Sequence, residues 1–473
     1  IALVVTIVVL LILAGVSISL ILDNNGIIQR SKDARTKWQN AEQNEMRELT
    51  DMEREIEKIT NDSELYGKGT EESPYEINTI EDLIRFGYEI ENGNNYNGKQ
   101  IKLMKNLDFK SENSYENAKR TDFKKYGYTG ELITALTTGE GFRPLGNSKI
   151  ENETELKNKS IYFQGTFNGN NKIIKNMYIN SIINENETKE LCIGLFTNTM
   201  GTIKNLGIEN SNITVNIEQT GRLRVGMLVG TIYGNETIID NCYVKGTINV
   251  NTTKSNYTII GGLVGTCNQG KNIVISNCYN SVDIATDSQN NNLIVGGILG
   301  YSNEGETTLI NCYNKGIIKC SGTSTLKDWI GGIIGYGKIK DCKNTYNYAD
   351  VSVLGKITKQ SWVGGIMGFI DIGNFEKCYN KGSIVSESID SKVRYGAIAG
   401  GTAEVVTISS AGYQEKGSLT AIGRDYKTDR EVIQAIEEKD MPAGLEIMGS
   451  AFAEDKHSIN NGYPILEWQT NNK

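Results

Sequence analysis

The chain has 473 residues, a formal net charge of −8 and a pI near 5.2. This length allows two or three domains, and the missing basic surplus argues against a nucleic-acid partner. The single histidine, His457, excludes sites that need several histidines, while 51 glycines against four prolines favour a structure with many turns.

Residues 1–22 are apolar, and the first charged residue is Asp23. As a helix this segment would span about 33 Å, the thickness of a bilayer core. A cleaved signal peptide is the alternative, although its apolar region usually has about 7–15 residues. The chain is expected to be processed or truncated ahead of its first residue. The predicted membrane or filament-core positions are Ile1, Ala2, Leu3, Val4, Val5, Ile7, Leu10, Leu11, Leu13, Val16 and Leu20.

A short polar segment interrupts the apolar run and is a candidate hinge, because Asn and Asp cap helices and Gly relaxes the backbone. Its residues are Asp23, Asn24, Asn25 and Gly26. A second, amphipathic helix is predicted over residues 27–60, since apolar residues such as Trp38, Leu49 and Ile56 recur mostly at three- and four-residue steps among charges.

An apolar helix continuing into an amphipathic one, ahead of a β-rich head, resembles type IV pilins. The runs Ile1–Val5 and Leu13–Val16 resemble pilin-like proteins of Gram-positive, clostridial-type bacteria. The resemblance implies membrane insertion, processing by a prepilin peptidase, and assembly by pilus machinery into an extracellular helical homopolymer. Two features depart from that pattern: Ala2 stands in the glutamate slot, and the helix has no proline. A plain membrane anchor is the alternative.

Residues 61–70 form a predicted polar linker, and residues 71–160 an entry module for the repeats that follow. Thr79 and Asp82 resemble a capping pair for a short helix to about residue 90. Asn97-Gly98 predicts a turn before a strand over residues 100–107, and residues 110–140 are an expected insertion loop.

Residues 161–420 repeat a short glycine motif every 32–35 residues. A unit of this length must bury its apolar face against its neighbours, which predicts about eight coils of a parallel β-solenoid stacked about 4.8 Å apart. The repeats resemble the GLUG-motif repeats of bacterial surface proteins, which implies an adhesin-like role. The copies are Val225–Gly230, Ile260–Gly265, Gly296–Gly300, Gly331–Gly335, Gly364–Gly368 and the degenerate Gly396–Gly400.

A second sequence block follows each motif and predicts two columns of side chains stacked from coil to coil. An inward-facing slot exchanges Met, Leu, Thr and Cys, which favours free buried cysteines over disulfides or a metal site. The slot holds Met177, Leu206, Cys242, Cys278, Cys312, Thr345 and Cys378. Disulfides among the cysteines outside the slot stay open, and these are Cys192, Cys267, Cys320 and Cys342.

The next position predicts a column of rings, either as stacking that stabilises the sheet or as an aromatic strip for sugar binding. Its members are Tyr178, Tyr243, Tyr279, Tyr313, Tyr346, Tyr379 and Tyr413. An amide ladder is predicted beside it. Its members are Asn176, Asn205, Asn241, Asn277, Asn311 and Asn344.

Residues 421–473 are a predicted C-terminal cap over the last coil. Thr428–Glu431 resembles a capping box for a helix to about Glu438, and aromatic residues such as Trp468 supply cover. The predicted fold class is therefore α+β, a long N-terminal pilin-like helix followed by a parallel β-solenoid with a small C-terminal cap.

The predicted function is a structural pilin subunit that displays its solenoid head for adhesion or surface scaffolding, with a glycan or surface molecule as an optional ligand. A monomeric membrane-anchored adhesin is the alternative. A polysaccharide-acting enzyme is disfavoured, because the one acidic pair at a shared offset, Asp283 and Asp350, would stand about 10 Å apart. No catalytic, cofactor or metal site is predicted.

Overall fold

The computed structural model describes residues 4–13, 27–60, 65–116, 123–146, 149–150, 162–183, 190–218, 221–253, 255–289, 292–324, 326–357, 359–386, 392–414, 419–425, 433–436, 448 and 450–471. The chain divides into two compact units, Ile1–Tyr66 and Gly67–Lys473.

The predicted α+β class with a long N-terminal pilin-like helix is wrong. About half of the chain lies in β-strands, so the fold is mainly β. Near the start of the chain, the described helical residues are 4–13 and Ile27–Thr60. The other helices are Ile80–Glu91 and Leu132–Thr137, with 3-10 turns at Glu112–Ser114, Phe123–Tyr126 and Glu467–Asn471.

No helix in the described ranges combines the length and the apolar character needed to cross a membrane.

The prediction of a parallel β-solenoid is confirmed, with about seven turns against the expected eight. One face is an eight-stranded sheet, the short sheet, whose strands pair in parallel except for the first. Its strands are Lys149–Ile150, Glu190–Ile193, Arg222–Gly226, Tyr257–Gly261, Asn292–Gly296, Asp328–Gly331, Ser361–Gly364 and Val393–Gly396.

A 24-stranded sheet, the long sheet, forms the remaining faces of the coils. Up to residue 288 its strands are Tyr75–Ile77, Gln100–Leu103, Leu107–Asp108, Thr166–Lys175, Tyr178–Ile183, Phe196–Thr199, Thr202–Ile217, Val229–Tyr233, Ile238–Asp240, Tyr243–Thr252, Val264–Gln269, Ile273–Ser276 and Tyr279–Ser288. The later ones are Leu299–Ser302, Thr307–Ile310, Tyr313–Asn314, Ile318–Ser321, Ile334–Asn347, Val351–Val353, Met367–Asn380, Ile384–Ser386, Ala399–Ser409, Ala411–Gln414 and Ile433–Ile436. Two small pairs complete the set, Thr323–Ser324 with Lys356–Ile357 and Phe452–Ala453 with Ile465–Leu466.

Each coil lies in register on the next, so equivalent residues form columns. Ile260 pairs with Val295, and Val295 with Ile330, and all three side chains are fully buried. Burying one such side chain contributes about 1.5–3 kcal/mol, and the column repeats it in every coil. The apolar core is therefore continuous along the solenoid, as expected for units that cannot fold alone.

In four repeats a glycine pair, at residues 261–262, 296–297, 331–332 and 364–365, forms the corner between the short sheet and the long sheet. A Cβ on Gly261 would lie 1.8 Å from the carbonyl oxygen of Val264. A Cβ on Gly262 would lie 2.2 Å from the carbonyl oxygen of Gly297 and 2.4 Å from the Asn280 side chain. In these coils only glycine fits the corner, because backbone atoms already occupy the space of a side chain. Met227 and Ala397 hold the second position in two other coils.

A fully buried asparagine column, the inner ladder, runs behind these corners. Asn280 Nδ2 donates to Asn314 Oδ1 at 2.8 Å, and Asn314 Nδ2 donates to Asn347 Oδ1 at 2.9 Å. Asn347 Nδ2 donates in turn to Asn380 Oδ1 at 2.9 Å. Each amide also bonds backbone groups two residues on, so these polar side chains are satisfied within the core.

A second asparagine column, the outer ladder, sits at left-handed backbone positions, with φ between 49° and 55°. Its members are Asn205, Asn241, Asn277, Asn311 and Asn344. Asn adopts this conformation more readily than most residues, which explains its recurrence at this bend. Asn311 Nδ2 donates to Asn277 Oδ1 at 3.0 Å, and Asn344 Nδ2 donates to Asn311 Oδ1 at 3.1 Å. Asn176, which the sequence analysis placed here, bonds Asp108 instead.

The predicted helix after Thr79 is confirmed as Ile80–Glu91, with a capping box between Thr79 and Asp82. Its buried Phe86 contacts the rings of Phe163, Phe167 and Phe196, at centroid distances of 5.6, 5.9 and 6.3 Å. The helix thus covers the apolar interior of the first coils.

At the other end, the helix predicted after Thr428–Glu431 is wrong. Ile433–Ile436 is a strand that pairs in parallel with Ala411–Gln414. Stacking on the preceding coil outweighs the local capping pattern, because the strand continues the hydrogen-bond ladder. The capping residues 428–431 themselves lie outside the described residues.

Replacing Asn347 by Ala should destabilise the solenoid by about 1–3 kcal/mol, because the buried amides of Asn314 and Asn380 each lose one hydrogen-bond partner. Asn251→Ala is the matched control: it removes a similar 2.8 Å amide bond to Asn216 on the exposed surface, and should change stability by less than about 0.5 kcal/mol. Urea unfolding followed by circular dichroism measures both. Equal shifts of the two midpoints would contradict the role of the inner ladder.

Candidate functional site

The sharp glycine corner brings two rows of outward-facing side chains toward each other. Strands of the short sheet contribute the first row, and the long-sheet strands that follow the corner contribute the second. Together they line a cleft that we call the elbow groove. The first row is Ile259, Ile294, Trp329 and Trp362, and the second is Thr266, Tyr301, Tyr336 and Phe369.

Aromatic rings from both rows pack across the corner. Trp329 stacks on Tyr336 with centroids 4.8 Å apart, and Trp362 meets Phe369 edge to face at 5.1 Å. Along the rows, Trp329 stacks on Trp362 at 5.8 Å and Tyr301 on Tyr336 at 5.6 Å. Coil stacking therefore fixes the rings as a rigid aromatic surface.

The elbow groove holds a cavity of about 720 Å³. This volume falls within the range of about 300–1,000 Å³ typical of ligand pockets. Beside the rings, Asn268, Asn292 and Asn303 line the cavity. The Tyr301 hydroxyl donates to Asn303 Oδ1 at 3.0 Å, which fixes one of these amides. Flat rings beside oriented amides can bind a ligand with apolar faces and hydroxyl edges.

Four cationic side chains line the cavity, and none of its described lining residues carries a carboxylate. The four are Arg222, Arg224, Lys327 and Lys359. Arg224 is buried and pairs with Glu190 at 2.6 Å, and the more exposed Arg222 contacts the same carboxylate at 3.6 Å. Arg222 lies over the Tyr257 ring at 5.6 Å, and Lys327 Nζ lies 5.9 Å from the Trp362 ring centre. The cavity is therefore positive, although the chain as a whole is negative.

Two buried polar atoms on the cavity lining have no hydrogen-bond partner among the described residues, Arg224 Nε and Thr266 Oγ1. Buried polar groups in proteins are nearly always hydrogen-bonded, so each unpartnered atom needs an explanation.

On the outer side of the elbow groove, the Tyr336 hydroxyl donates to Asp371 Oδ2 at 2.9 Å. Burial raises the pKa of Tyr336, and the nearby Asp371 carboxylate raises it further, so the phenol stays protonated at neutral pH.

The tyrosine column is a separate feature on another face, and the C-terminal segment covers it. Tyr243, Tyr279, Tyr313 and Tyr346 stack with centroids 4.9–5.0 Å apart and ring planes within 8°. Trp468 stacks on Tyr243 and Tyr279, each at 6.0 Å. These contacts make the column a docking face for the chain's own C-terminus, where a sugar has no access to the rings.

Hydrogen bonds fix the same segment along the column. Trp468 Nε1 donates to the carbonyl oxygen of Asn277 at 3.1 Å, and the Tyr313 hydroxyl donates to Gln469 Oε1 at 3.1 Å. Asn460 Nδ2 donates to the Tyr346 hydroxyl at 2.6 Å. Residues 450–471 therefore cover the side of several coils, and their aromatic cover is not a lid over the last coil.

Three predicted column members lie elsewhere. Tyr178 pairs with Asn212, while Gly207 stands opposite Tyr243, so Tyr178 and Met177 fall outside their predicted columns. Tyr413 pairs with Asn380 and is one position out of the ring column. The reason is register: irregularities between adjacent strands shift the early and late coils relative to the sequence repeat.

The remaining slot members are brought together. Pairing of Tyr243 with Tyr279, and of Tyr279 with Tyr313, stacks the preceding residues Cys242, Cys278 and Cys312. Leu206 lies in the coil before Cys242. Thr345 lies in the coil after Cys312 and pairs with Cys378. All of these side chains are buried. Cys278 Sγ donates to the carbonyl oxygen of Ser276 at 2.9 Å, so the thiols are packed and weakly hydrogen-bonded.

All eight cysteines are buried and free, including the four outside the slot. Cys192 Sγ lies 3.3 Å from Thr231 Oγ1, and Cys342 Sγ lies 3.8 Å from Cys378 Sγ without a covalent bond. Burial raises the pKa of Cys267 to about 12, partly offset by a hydrogen bond with Thr307. No cluster of three or more His, Cys, Asp or Glu suited to a metal occurs within the described ranges.

The acidic pair considered for catalysis has a structural role. Asp283 Oδ1 accepts the backbone N–H of Ile317 at 2.9 Å, and Asp350 Oδ1 accepts that of Ser383 at 2.7 Å. Each carboxylate thus bonds a backbone amide of the following coil.

The predicted filament or membrane residues fall partly outside the described residues. Ile1, Ala2, Leu3, Val16, Leu20 and the hinge residues Asp23, Asn24, Asn25 and Gly26 belong to that undescribed group. The others are exposed by 50–67%, and these are Val4, Val5, Ile7, Leu10, Leu11 and Leu13.

The elbow groove and the inner ladder were missed by sequence reasoning, although both leave a signal. Trp329 and Trp362 each stand two residues before a glycine pair, and Tyr336 follows the closing glycine of its repeat. The inner-ladder asparagines directly follow the tyrosines of the ring column. Reading these offsets relative to the glycine corner would have found both.

Comparison with known proteins gives limited similarity. No family model matches the chain, so the pilin and GLUG resemblances stay predictions from the sequence. Halomucin from Haloquadratum walsbyi is 31% identical over 183 residues, which is 39% of this chain and 2% of halomucin. This chain thus spans a small fraction of the length of the curated relative it matches.

Among solved structures, the chain is similar to a putative immunoglobulin A1 protease from Bacteroides ovatus. The TM-score is 0.48 at 18% identity, over 85% of this chain and 94% of the other. Neither similarity assigns an activity to this chain.

Replacing Cys267 by Ala should make the free energy of unfolding less sensitive to alkali. The unfolded thiol ionises near pH 9, whereas the folded thiol stays protonated to about pH 12. The native state therefore holds more protons between these values, and its stability falls as pH rises. The wild type should lose up to about 1.4 kcal/mol per pH unit more than Cys267→Ala above pH 9.

The control is Ser302→Ala, which changes the neighbouring position in the same column without removing a titrating group. Urea unfolding from pH 8 to pH 11 compares the three proteins. Parallel pH curves for wild type and Cys267→Ala would contradict the proposed effect of burial.

Proposed function

We propose that this chain is a cell-surface adhesin whose solenoid presents the elbow groove as a saccharide-binding site. The observation that carries the proposal is the rigid aromatic cleft at the glycine corner, lined by side-chain amides and cations. Saccharides present apolar C–H faces that pack on rings and hydroxyl edges that bond amides. The cleft offers both within one cavity of about 720 Å³.

Extracellular display fits the rest of the molecule. Stacked coils give an elongated scaffold that holds a binding surface without moving parts. The similarity to halomucin over 183 residues and the repeat's resemblance to bacterial surface proteins agree with this location.

We also propose a binding role without catalysis. The acidic pair that a polysaccharide-acting enzyme could use is committed to backbone hydrogen bonds between coils. Beside the elbow groove, Glu190 and Asp371 bond Arg224 and Tyr336. A third carboxylate, Glu304, accepts a hydrogen bond from Asn303 at 3.4 Å. A general acid needs a proton that it can deliver to the ligand, and these contacts support fixed structural roles.

Filament assembly is the second candidate, and the exposed helical segment 4–13 favours it. Its apolar side chains are 47–67% exposed in the single chain. Such a surface is normally covered by a membrane or by other subunits. Copies of the same segment in a filament would cover it without a further protein.

Replacing Tyr301 by Ala should weaken saccharide binding at least tenfold, which corresponds to about 1.4 kcal/mol, because the ring forms part of the aromatic surface. Tyr301→Phe keeps the ring and should retain most of the affinity. Trp38→Ala, which removes an exposed aromatic side chain from the other unit, is the control for a general effect. A panel of immobilised neutral and acidic oligosaccharides identifies a ligand, and calorimetry then measures the Kd.

Circular dichroism confirms that the variants are folded. Binding of no saccharide in the panel, or equal affinity of Tyr301→Ala and wild type, would sink the proposed function.

If the chain assembles into filaments, shearing the cells that produce it should release long fibres that contain this chain. Negative-stain imaging with antibody labelling of the supernatant is the measurement. Single particles that stay with the membrane fraction would favour the anchored adhesin over the filament.

A further inference from the structure

We propose that the elbow groove selects acidic saccharides, those with carboxylate or sulfate groups, over neutral ones. This inference rests on the proposed function, since it names the class of saccharide that the same groove takes. The observation behind it is the charge of the lining, four cationic side chains and no carboxylate among the described residues of the cavity.

The charge of the groove is opposite to that of the chain, which carries −8 overall. A cavity lined by charged residues in the proportions of the whole chain would be slightly acidic. Glu190 offsets part of the positive charge, because it contacts both arginines. Lys327 and Lys359 are exposed on the lining, and no described carboxylate forms an ion pair with either. They leave a net positive charge facing the cavity.

The hydrogen-bonding groups of the lining point to the same ligand chemistry. Arg and Lys side chains only donate hydrogen bonds. A ligand that bonds these cationic side chains must therefore supply acceptors. Carboxylate and sulfate oxygens supply several acceptors with negative charge, and charge-assisted bonds are about twice as strong as neutral ones.

The rings of the groove favour a saccharide over a single-stranded nucleic acid, the other ligand that combines negative charge with stacking. Base stacking needs an open ring face. Here Trp329 and Trp362 stack on each other and are 8% and 6% exposed. The two indoles therefore offer no open face to a base, and the half-buried Tyr301 and Tyr336 are the rings available for packing against a sugar.

The test uses the full chain and two matched pairs of probes, so that carboxylate and sulfate sources can be told apart. Oligogalacturonate is compared with its neutral methyl ester, and dextran sulfate with dextran. The expected result is at least tenfold tighter binding of one acidic probe than of its neutral partner at low salt. Raising the salt concentration should reduce that preference, since exposed charges are screened.

The double variant Lys327→Gln with Lys359→Gln should lose the preference for acidic probes and its salt dependence. The matched control is Lys271→Gln with Lys319→Gln, which removes the same charge from exposed positions outside the groove. This control should bind like the wild type. Equal loss of preference in both double variants would show a general charge effect and overturn the inference.

The two proposals fail in different ways. Equal affinity for acidic and neutral probes in both pairs would overturn the acidic preference and leave saccharide binding standing. Binding of none of the four probes would overturn both. Tighter binding of an oligothymidylate than of any saccharide would also overturn both, and would assign the groove to single-stranded nucleic acid.

Discussion

In four successive coils, the contact between the second glycine of the corner and the inner asparagine ladder is the constraint on which the structure depends. A Cβ on Gly332 would lie 2.1 Å from the carbonyl oxygen of Gly365 and 2.4 Å from the Asn347 side chain. The corner can be this tight only because glycine has no side chain. The buried amides then bond from coil to coil, so corner and ladder hold each other in register.

That corner also creates the elbow groove. Because the chain turns sharply inward at the glycines, residues before and after the turn face each other outside the core. The repeat stacks these residues in rows, and aromatic side chains in the later coils make the rows a rigid surface. The tyrosine column, formed by the same stacking, serves the opposite purpose: it is covered by the chain's own C-terminal segment.

Much of the solenoid could be predicted from the sequence, because equivalent positions of the repeats hold similar residue types. Exchange of Leu, Cys and Thr in one slot indicated buried thiols, and Thr79 with Asp82 indicated a helix start. Register was harder: Tyr178 matches the motif by letter but pairs with Asn212. The helix after Thr428 failed because stacking outweighs a local cap. The fold class failed because strands, which dominate the chain, were given too little weight beside the N-terminal segment.

The groove is harder to predict from the sequence than the columns, since its two rows come from different sheets and become neighbours only through the corner. The most direct test of the account is a crystal structure of the chain with a bound acidic oligosaccharide. The account predicts a sugar ring against Tyr301 and Tyr336, with its acidic group toward Lys327 and Lys359. An ordered sugar on another face, with the elbow groove empty, would contradict it.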